Sequence, residues 1–282
     1  MIATMHHLEL ADQTISYLDV PAAQPARAAA APDPIVLLHG EAVDHRMWGP
    51  QLDSFPGRRI LVPDARGHGE SSDAEAPYRL ADDVVALLDA LRVPSAVLVG
   101  LSMGGGTAVD VALEHPERAS ALVVSGTGSS EPEFTDPWCL DVFRRWKEAE
   151  TAGDLDVWIS VFTEFTVGPS RTRADVDPGI IELVESMARD TVMHHLRVDD
   201  HGIPIPPIPC TPVIDTWKRL HRIDVPVLAL CGALDGEDHR RMGRRLADSV
   251  GRGRYVEVPA SAHYPNLEQP GVFDVEVARF LR

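Results

Sequence analysis

Residues 98–106 read Leu-Val-Gly-Leu-Ser-Met-Gly-Gly-Gly, which sets Ser102 between Gly100 and Gly104. A serine hydroxyl attacks an electrophilic carbon only when a base takes its proton and a third group orients that base. An apolar run over 96–99 precedes the serine, and a helix-compatible segment follows it as far as His115-Pro116. A sharp strand-to-helix turn would force Ser102 into an unfavourable backbone conformation, so the residues two away must be nearly free of side chain. Such a turn lifts the hydroxyl above the sheet edge and starts a helix beneath it with unpaired N–H groups. Five letters alone would also fit an ordinary glycine-rich turn; the strand before and the helix after favour a nucleophile.

Twelve histidines could supply the base. His263, in Pro259-Ala-Ser-Ala-His-Tyr-Pro, lies just beyond the last strand-like run. A loop there can swing an imidazole over the sheet edge, whereas a histidine inside an element, such as His115, is less freely placed. Asp235, in Leu230-Cys-Gly-Ala-Leu-Asp-Gly-Glu-Asp, directly follows another apolar run and is the chosen orienting acid. Glu237 and Asp238 are the alternatives, expected instead to cap the next helix. The resulting order is Ser102, Asp235, His263.

These residues need a frame that brings distant turns to one edge. Short β-like runs at 35–38, 59–62, 96–99, 121–124, 227–230 and 255–258 alternate with helical patterns. That alternation implies an α/β fold: a mostly parallel, doubly wound sheet with helices on both faces. Residues 7–10 and 14–20 suggest a hairpin, and 21–34 a loose surface loop. Leu80, Val84, Leu87, Leu88 and Leu91 recur at helical spacing, as do Val272 or Phe273, Val277, Phe280 and Leu281. Between 127 and 222 no clear strand is visible. Trp138, Val142 and Trp146 share one helical stripe, and Leu155, Trp158, Ile159, Phe162 and Phe165 another. A third helix is expected from an Asp177 N-cap and Pro178, with Ile181, Val184, Met187 and Thr191 on its apolar face. Residues 203–212 are so proline-rich that they predict an extended connector. The core is therefore assigned to 1–126 and 223–282, with 127–222 a helical lid inserted before the acid-bearing strand. Most of its aromatic residues are expected to form the lid's own core.

The 282 residues, 44% hydrophobic, can bury a substantial interior. With 43 acids against 26 bases, the net charge of −17 argues against nucleic acid and anionic membranes as partners. Cys139, Cys210 and Cys231 are widely spaced and suggest reduced thiols in a cytoplasmic setting. The opening residues lack a leader pattern, and no apolar stretch is long enough to span a bilayer. His194, His195 and His201 diverge on a helix without a completing ligand set, so no metal and no cofactor are expected. The sequence leaves the oligomeric state open, a homodimer being one option.

Leu38-His-Gly40, Asp64-Ala-Arg-Gly-His-Gly-Glu-Ser71, the turn at Ser102, Gly232-Ala-Leu-Asp235 and His263 occur in one order. Together they resemble the α/β-hydrolase fold superfamily, from about residue 35 to the C-terminus, in its serine-nucleophile esterase/lactonase-like branch. The resemblance implies Ser102 as nucleophile, His263 as general base and then acid, and Asp235 as the group fixing the imidazole tautomer. It implies an oxyanion hole from the backbone N–H of Met103 and that of Glu41, or alternatively Ala42. His39 is expected to support its loop, and Asp64, Arg66 and His68 to stabilise the neighbouring turn, with His68 also able to border the pocket. Glu41 departs from the apolar, amide or glycine residues common in relatives. A carboxylate there would oppose an oxyanion unless it points away, is protonated or meets a cation.

The implied reaction is hydrolysis of an ester, thioester or lactone of a small, largely apolar substrate through an acyl-enzyme. Glu41, Trp138, Trp158, Phe162 and Tyr264 are the candidate substrate-binding residues. Ser102-Met-Gly-Gly-Gly106 is also similar to the turn of cofactor-independent haloperoxidases (perhydrolases). Carbon–carbon bond hydrolases and acyltransferases use the same machinery, and a non-catalytic small-molecule receptor on this fold is the alternative from another class. The aspartate-nucleophile dehalogenases and epoxide hydrolases are disfavoured by Ser102.

Overall fold

The computed structural model describes residues 4–23, 31–201 and 204–282. Half of the loop expected over 21–34, the first three residues of the N-terminus and the head of the proline-rich connector lie outside them. In chain order the elements are β1 (Met5–Glu9), β2 (Thr14–Val20), β3 (Ile35–Leu38), β4 (Ile60–Pro63), α1 (Leu80–Ala90), β5 (Ala96–Leu101), α2 (Met103–Glu114) and β6 (Ala119–Ser125). There follow α3 (Pro137–Ala152), α4 (Leu155–Phe162), α5 (Glu164–Val167), α6 (Pro178–His195), β7 (Arg197–Val198), β8 (Pro204–Ile205) and α7 (Thr216–Arg219). The chain ends with β9 (Val227–Gly232), α8 (Glu237–Ser249), β10 (Gly253–Val258), α9 (Pro265–Glu268) and α10 (Pro270–Phe280).

Eight strands form one sheet in the order β1-β2-β4-β3-β5-β6-β9-β10. β1 and β2 pair antiparallel, β2 meets β4 antiparallel, and every later pair is parallel. The central strands are apolar throughout because both faces are covered. Ile35 and Leu37 of β3 join one apolar cluster, while Val36 and Leu38 join the other. The second cluster reaches Val84 and Leu87 of α1 and Ala108 and Val109 of α2. The first takes in Phe273 and Val277 of α10 and continues without a break into Val142, Phe162, Val184 and Met187 of the segment between β6 and β9. That segment is therefore fastened to the sheet by shared core.

Inside it, Asp177 accepts from the Gly179 amide and α6 starts at Pro178, as the capping residues predict. Two expectations are corrected. The stripe from Leu155 to Phe165 is broken at Thr163, whose hydroxyl bonds back to the Ile159 carbonyl at 2.6 Å, so α5 begins afresh. The region expected to lack strands also holds a short ribbon, Arg197 opposite Ile205 and Val198 opposite Pro204. Further along, Thr211 N–H donates to the Tyr78 carbonyl and ties the proline-rich connector to the segment before α1.

Candidate active site

Ser102 caps α2 at φ +53°, ψ −114°, a left-handed-side conformation that non-glycine residues rarely adopt. Strain of this kind costs of order 1–3 kcal/mol and persists only where packing over-determines it. The flanking glycines show how. A Cβ on Gly100 would lie 2.1 Å from the Gly104 carbonyl oxygen, and one on Gly104 would lie 2.2 Å from that of Leu38. Any side chain at either position would push α2 off β3 and β5. The serine is partly exposed, and α2 begins beneath it with first-turn N–H groups that have no partner within the helix.

The carboxyl ends of β9 and β10 bring Asp235 and His263 together: His263 Nδ1 lies 3.0 Å from Asp235 Oδ2. Asp235 is fully buried and also receives the Gly236 amide and His239 Nδ1 on Oδ1, each at 2.7 Å. An ionised carboxylate only accepts, so both imidazoles present Nδ1–H to it and keep a lone pair on Nε2. Burial works against ionising Asp235, but the two imidazoles outweigh it and hold the carboxyl well below the usual carboxylate range. Burial likewise keeps His263 below the ordinary histidine range; Asp235 opposes that effect and His239 adds to it.

The His263 ring rests on Gly126 at the end of β6, where a Cβ would come within 2.6 Å of Cε1. Ser102 N–H donates to the carbonyl of the preceding residue, Ser125, at 2.8 Å. Serine and imidazole are thus seated on adjacent residues of one sheet edge, where α/β folds bind ligands.

The turn after β3 is held by two histidines. His39 donates through Nδ1 to the Gly40 carbonyl and accepts the Ala65 amide on Nε2. His68 donates to the Arg66 carbonyl and accepts the Ala42 amide at 3.2 Å. Ala42 N–H is therefore committed to His68. Burial, reinforced by His68, holds His39 down to about 4, so its ring works as a neutral bracket. Asp64 accepts the His45 and Glu70 amides, and Arg66 pairs with Asp83 and Asp12. The Glu41 side chain is exposed.

Of the expected pocket residues, Tyr264 stands edge-on to His263 with ring centres 5.5 Å apart. Trp138 lies against Gly236 and meets Phe165 edge-on, and Phe165 is 5.8 Å from His263. Trp138 also borders a cleft of about 320 Å³ with Thr163, Gly168 and Arg171. Phe162 and Trp158 stack on each other one aromatic layer behind, with Phe162 6.5 Å from Phe165. The structure brings Trp138 and Tyr264 beside the acid and base, and leaves Trp158 and Phe162 packed among the helices between β6 and β9.

Glu237 and Asp238 do not cap α8, whose N-cap is Gly236. Asp238 instead accepts the Thr135 and Asp136 amides at 2.6 Å each and anchors the start of α3. His239 was not singled out in the sequence, although its i+4 spacing from Asp235 at the head of a helix is the signal that places it there. Among the described residues, Asp235, His239 and His263 form one set of donor atoms lying within 4.8 Å of one another, and Asp44, His45 and Asp64 another. His195, by contrast, sits on Asp73 and the Gly69 carbonyl, binding α6 to the core.

A family model described as "alpha/beta hydrolase fold" matches residues 33–270. The 3-oxoadipate enol-lactonase 2 of Acinetobacter baylyi is 28% identical over 253 residues, covering 84% of each chain. A pimeloyl-[acyl-carrier protein] methyl ester esterase of Pectobacterium carotovorum is 28% identical over 253 residues, covering 87% of this chain and 93% of its own. Among solved structures, the enol-lactonase of Burkholderia xenovorans superposes with a TM-score of 0.73 at 25% identity, covering 98% of this chain and 99% of its own.

Proposed function

The chain belongs to the α/β-hydrolase fold family, and on that premise we propose that it is a serine hydrolase. In this reading it cleaves a carboxylic ester, thioester or lactone of a small, largely apolar substrate through an acyl-enzyme on Ser102. His263 Nε2 takes the proton from Ser102 Oγ as that oxygen bonds to the carbonyl carbon. The resulting oxyanion receives the N–H groups of Met103 and Glu41, each contributing a few kcal/mol. Collapse breaks the bond to the leaving oxygen or sulfur, which departs with the proton from His263. Water, deprotonated by the same imidazole, then attacks the acyl carbon and frees the acid and Ser102. Asp235 holds His263 in the Nδ1–H tautomer and stabilises the transient imidazolium.

The observation that carries this reading is the shared sheet edge: Ser102 bonded to Ser125, His263 seated on Gly126, and His263 fixed to Asp235. The commitment of Ala42 N–H to His68 favours Glu41 as the second oxyanion donor. The exposed Glu41 carboxylate is then free to meet a polar substrate group at the mouth. In this reading residues 127–222 act as the lid, with Trp138, Phe165 and Tyr264 walling the acyl site and Trp158 and Phe162 backing it. Two of the relatives are by name a lactonase and a methyl ester esterase, which supports ester-type bonds as the target.

A panel of p-nitrophenyl esters, lactones and thioesters, assayed with the parent and Ser102→Ala, tests the proposal. Turnover of at least one class by the parent alone is expected. Equal turnover by both proteins overturns it.

A further inference from the structure

Asp235 carries two imidazoles, and the mechanism just given uses only one. His239 Nδ1 lies 2.7 Å from Oδ1 and His263 Nδ1 3.0 Å from Oδ2, with the two ring centres 4.4 Å apart. His239 is itself buried, edge-on to Phe134 and tilted against Phe165. A lone buried histidine is ordinarily a satisfied packing residue. This one spends its only donor on the carboxylate that orients the proposed base, and shares the aromatic wall around that base.

We propose that His239 is a positioning residue for His263: it occupies Asp235 Oδ1 and leaves Oδ2 to the base. This follows from counting donors. The Gly236 amide is the other group on Oδ1. Without His239 the carboxylate keeps one backbone donor and one imidazole, and is freer to rotate about its Cβ–Cγ bond. Separation adds a second consequence: with the ring centres 4.4 Å apart, His239 opposes a positive charge on His263.

The other groups around the pair are buried or already paired. Cys231 of β9 is pushed up to about 12 by burial, and burial also raises Cys139 of α3 and Tyr264 beside α9. Asp238 of α8 is paired with Arg241 and the Thr135 and Asp136 amides. Glu237 is paired with Arg240 and Arg244, and Glu268 of α9 with Arg171.

The kinetic half of this inference rests on the proposed function, so its test has a readout that does not. His263 is titrated by NMR of labelled imidazoles in the parent, His239→Asn and His239→Phe. Asparagine keeps an N–H where Nδ1 stood but no titrating charge; phenylalanine keeps the ring packing and has no donor. The His263 midpoint should rise by about one pH unit in both variants. Ester kcat at pH 8 should fall about tenfold further in His239→Phe than in His239→Asn, with the acid limb of kcat/KM shifted upward in both. If His239→Phe does not fold, the titration of His239→Asn decides. An unmoved His263 midpoint in a folded variant overturns the inference. Ester turnover that survives Ser102→Ala would refute the proposed function and leave the titration standing as the test of His239.

Discussion

Replacing Gly126 with alanine puts a methyl group where the His263 ring rests. The added carbon would lie 2.6 Å from Cε1, 3.0 Å from Nδ1 and 3.3 Å from Nε2. Carbon–carbon contacts settle at about 3.6 Å, so the imidazole must retreat by about 1 Å. A misplacement of that size costs about 100-fold in rate, or about 2.7 kcal/mol of barrier. Gly126 also sits at φ +68°, where alanine adds about 1–2 kcal/mol of backbone strain. The expected outcome is a kcat for a p-nitrophenyl ester reduced about 100-fold, with thermal unfolding shifted by only a few degrees. Gly57→Ala is the control, because nothing lies within 4 Å of a Cβ there. A folded Gly126→Ala protein with kcat within threefold of the parent would refute the placement of His263 as the working base.

Asp235→Asn should lower kcat by roughly 10³–10⁴ with little change in KM, since an amide cannot accept from both imidazoles and favours the wrong His263 tautomer; steady-state kinetics checks this. His39 is held down to about 4 against an ordinary 6.5. Between those values the unfolded chain binds a proton that the folded chain refuses, so stability falls as pH drops through this window, by about 3 kcal/mol for this group. Urea midpoints measured from pH 7 to pH 4 should fall steeply in the parent and less in His39→Asn; equal slopes contradict the assignment. Glu268 accepts the Ala262 amide at 2.7 Å and pairs with Arg171, both side chains being nearly buried. Glu268→Ala leaves Arg171 with only the Thr166 and Val167 carbonyls and strands the amide beside His263, and should cost about 2–3 kcal/mol in urea unfolding.

The sheet and the turn at Ser102 were legible because they rest on local rules. Alternating apolar runs marked the strands, and Asp177-Pro178 marked the start of α6. Gly100 and Gly104 are required by backbone contacts that any strand-to-helix turn of this sharpness would make. Asp235 and His263 were legible from their places just after strands. What escaped depends on contacts distant in sequence. Asp238 reaches amides more than a hundred residues away, which helix-capping rules do not foresee. Periodicity places Phe165 on one long stripe, but the back-bond from Thr163 restarts the helix and Phe165 meets His263. Prolines around β8 read as a plain connector, yet at a ribbon edge proline gives up no needed ladder bond. His239 differs from these, since a local i, i+4 spacing from Asp235 encodes it, but a histidine inside a helix carries no sign of facing a site, as a loop histidine after a strand does.

The most direct measurement is intact-mass and peptide mapping after treatment with a fluorophosphonate, which reports a serine made nucleophilic by its neighbours. A single adduct on Ser102 is expected, absent from Ser102→Ala and formed far more slowly in His263→Ala. An adduct on another residue, or none while ester turnover continues, would contradict Ser102 as the nucleophile of this fold.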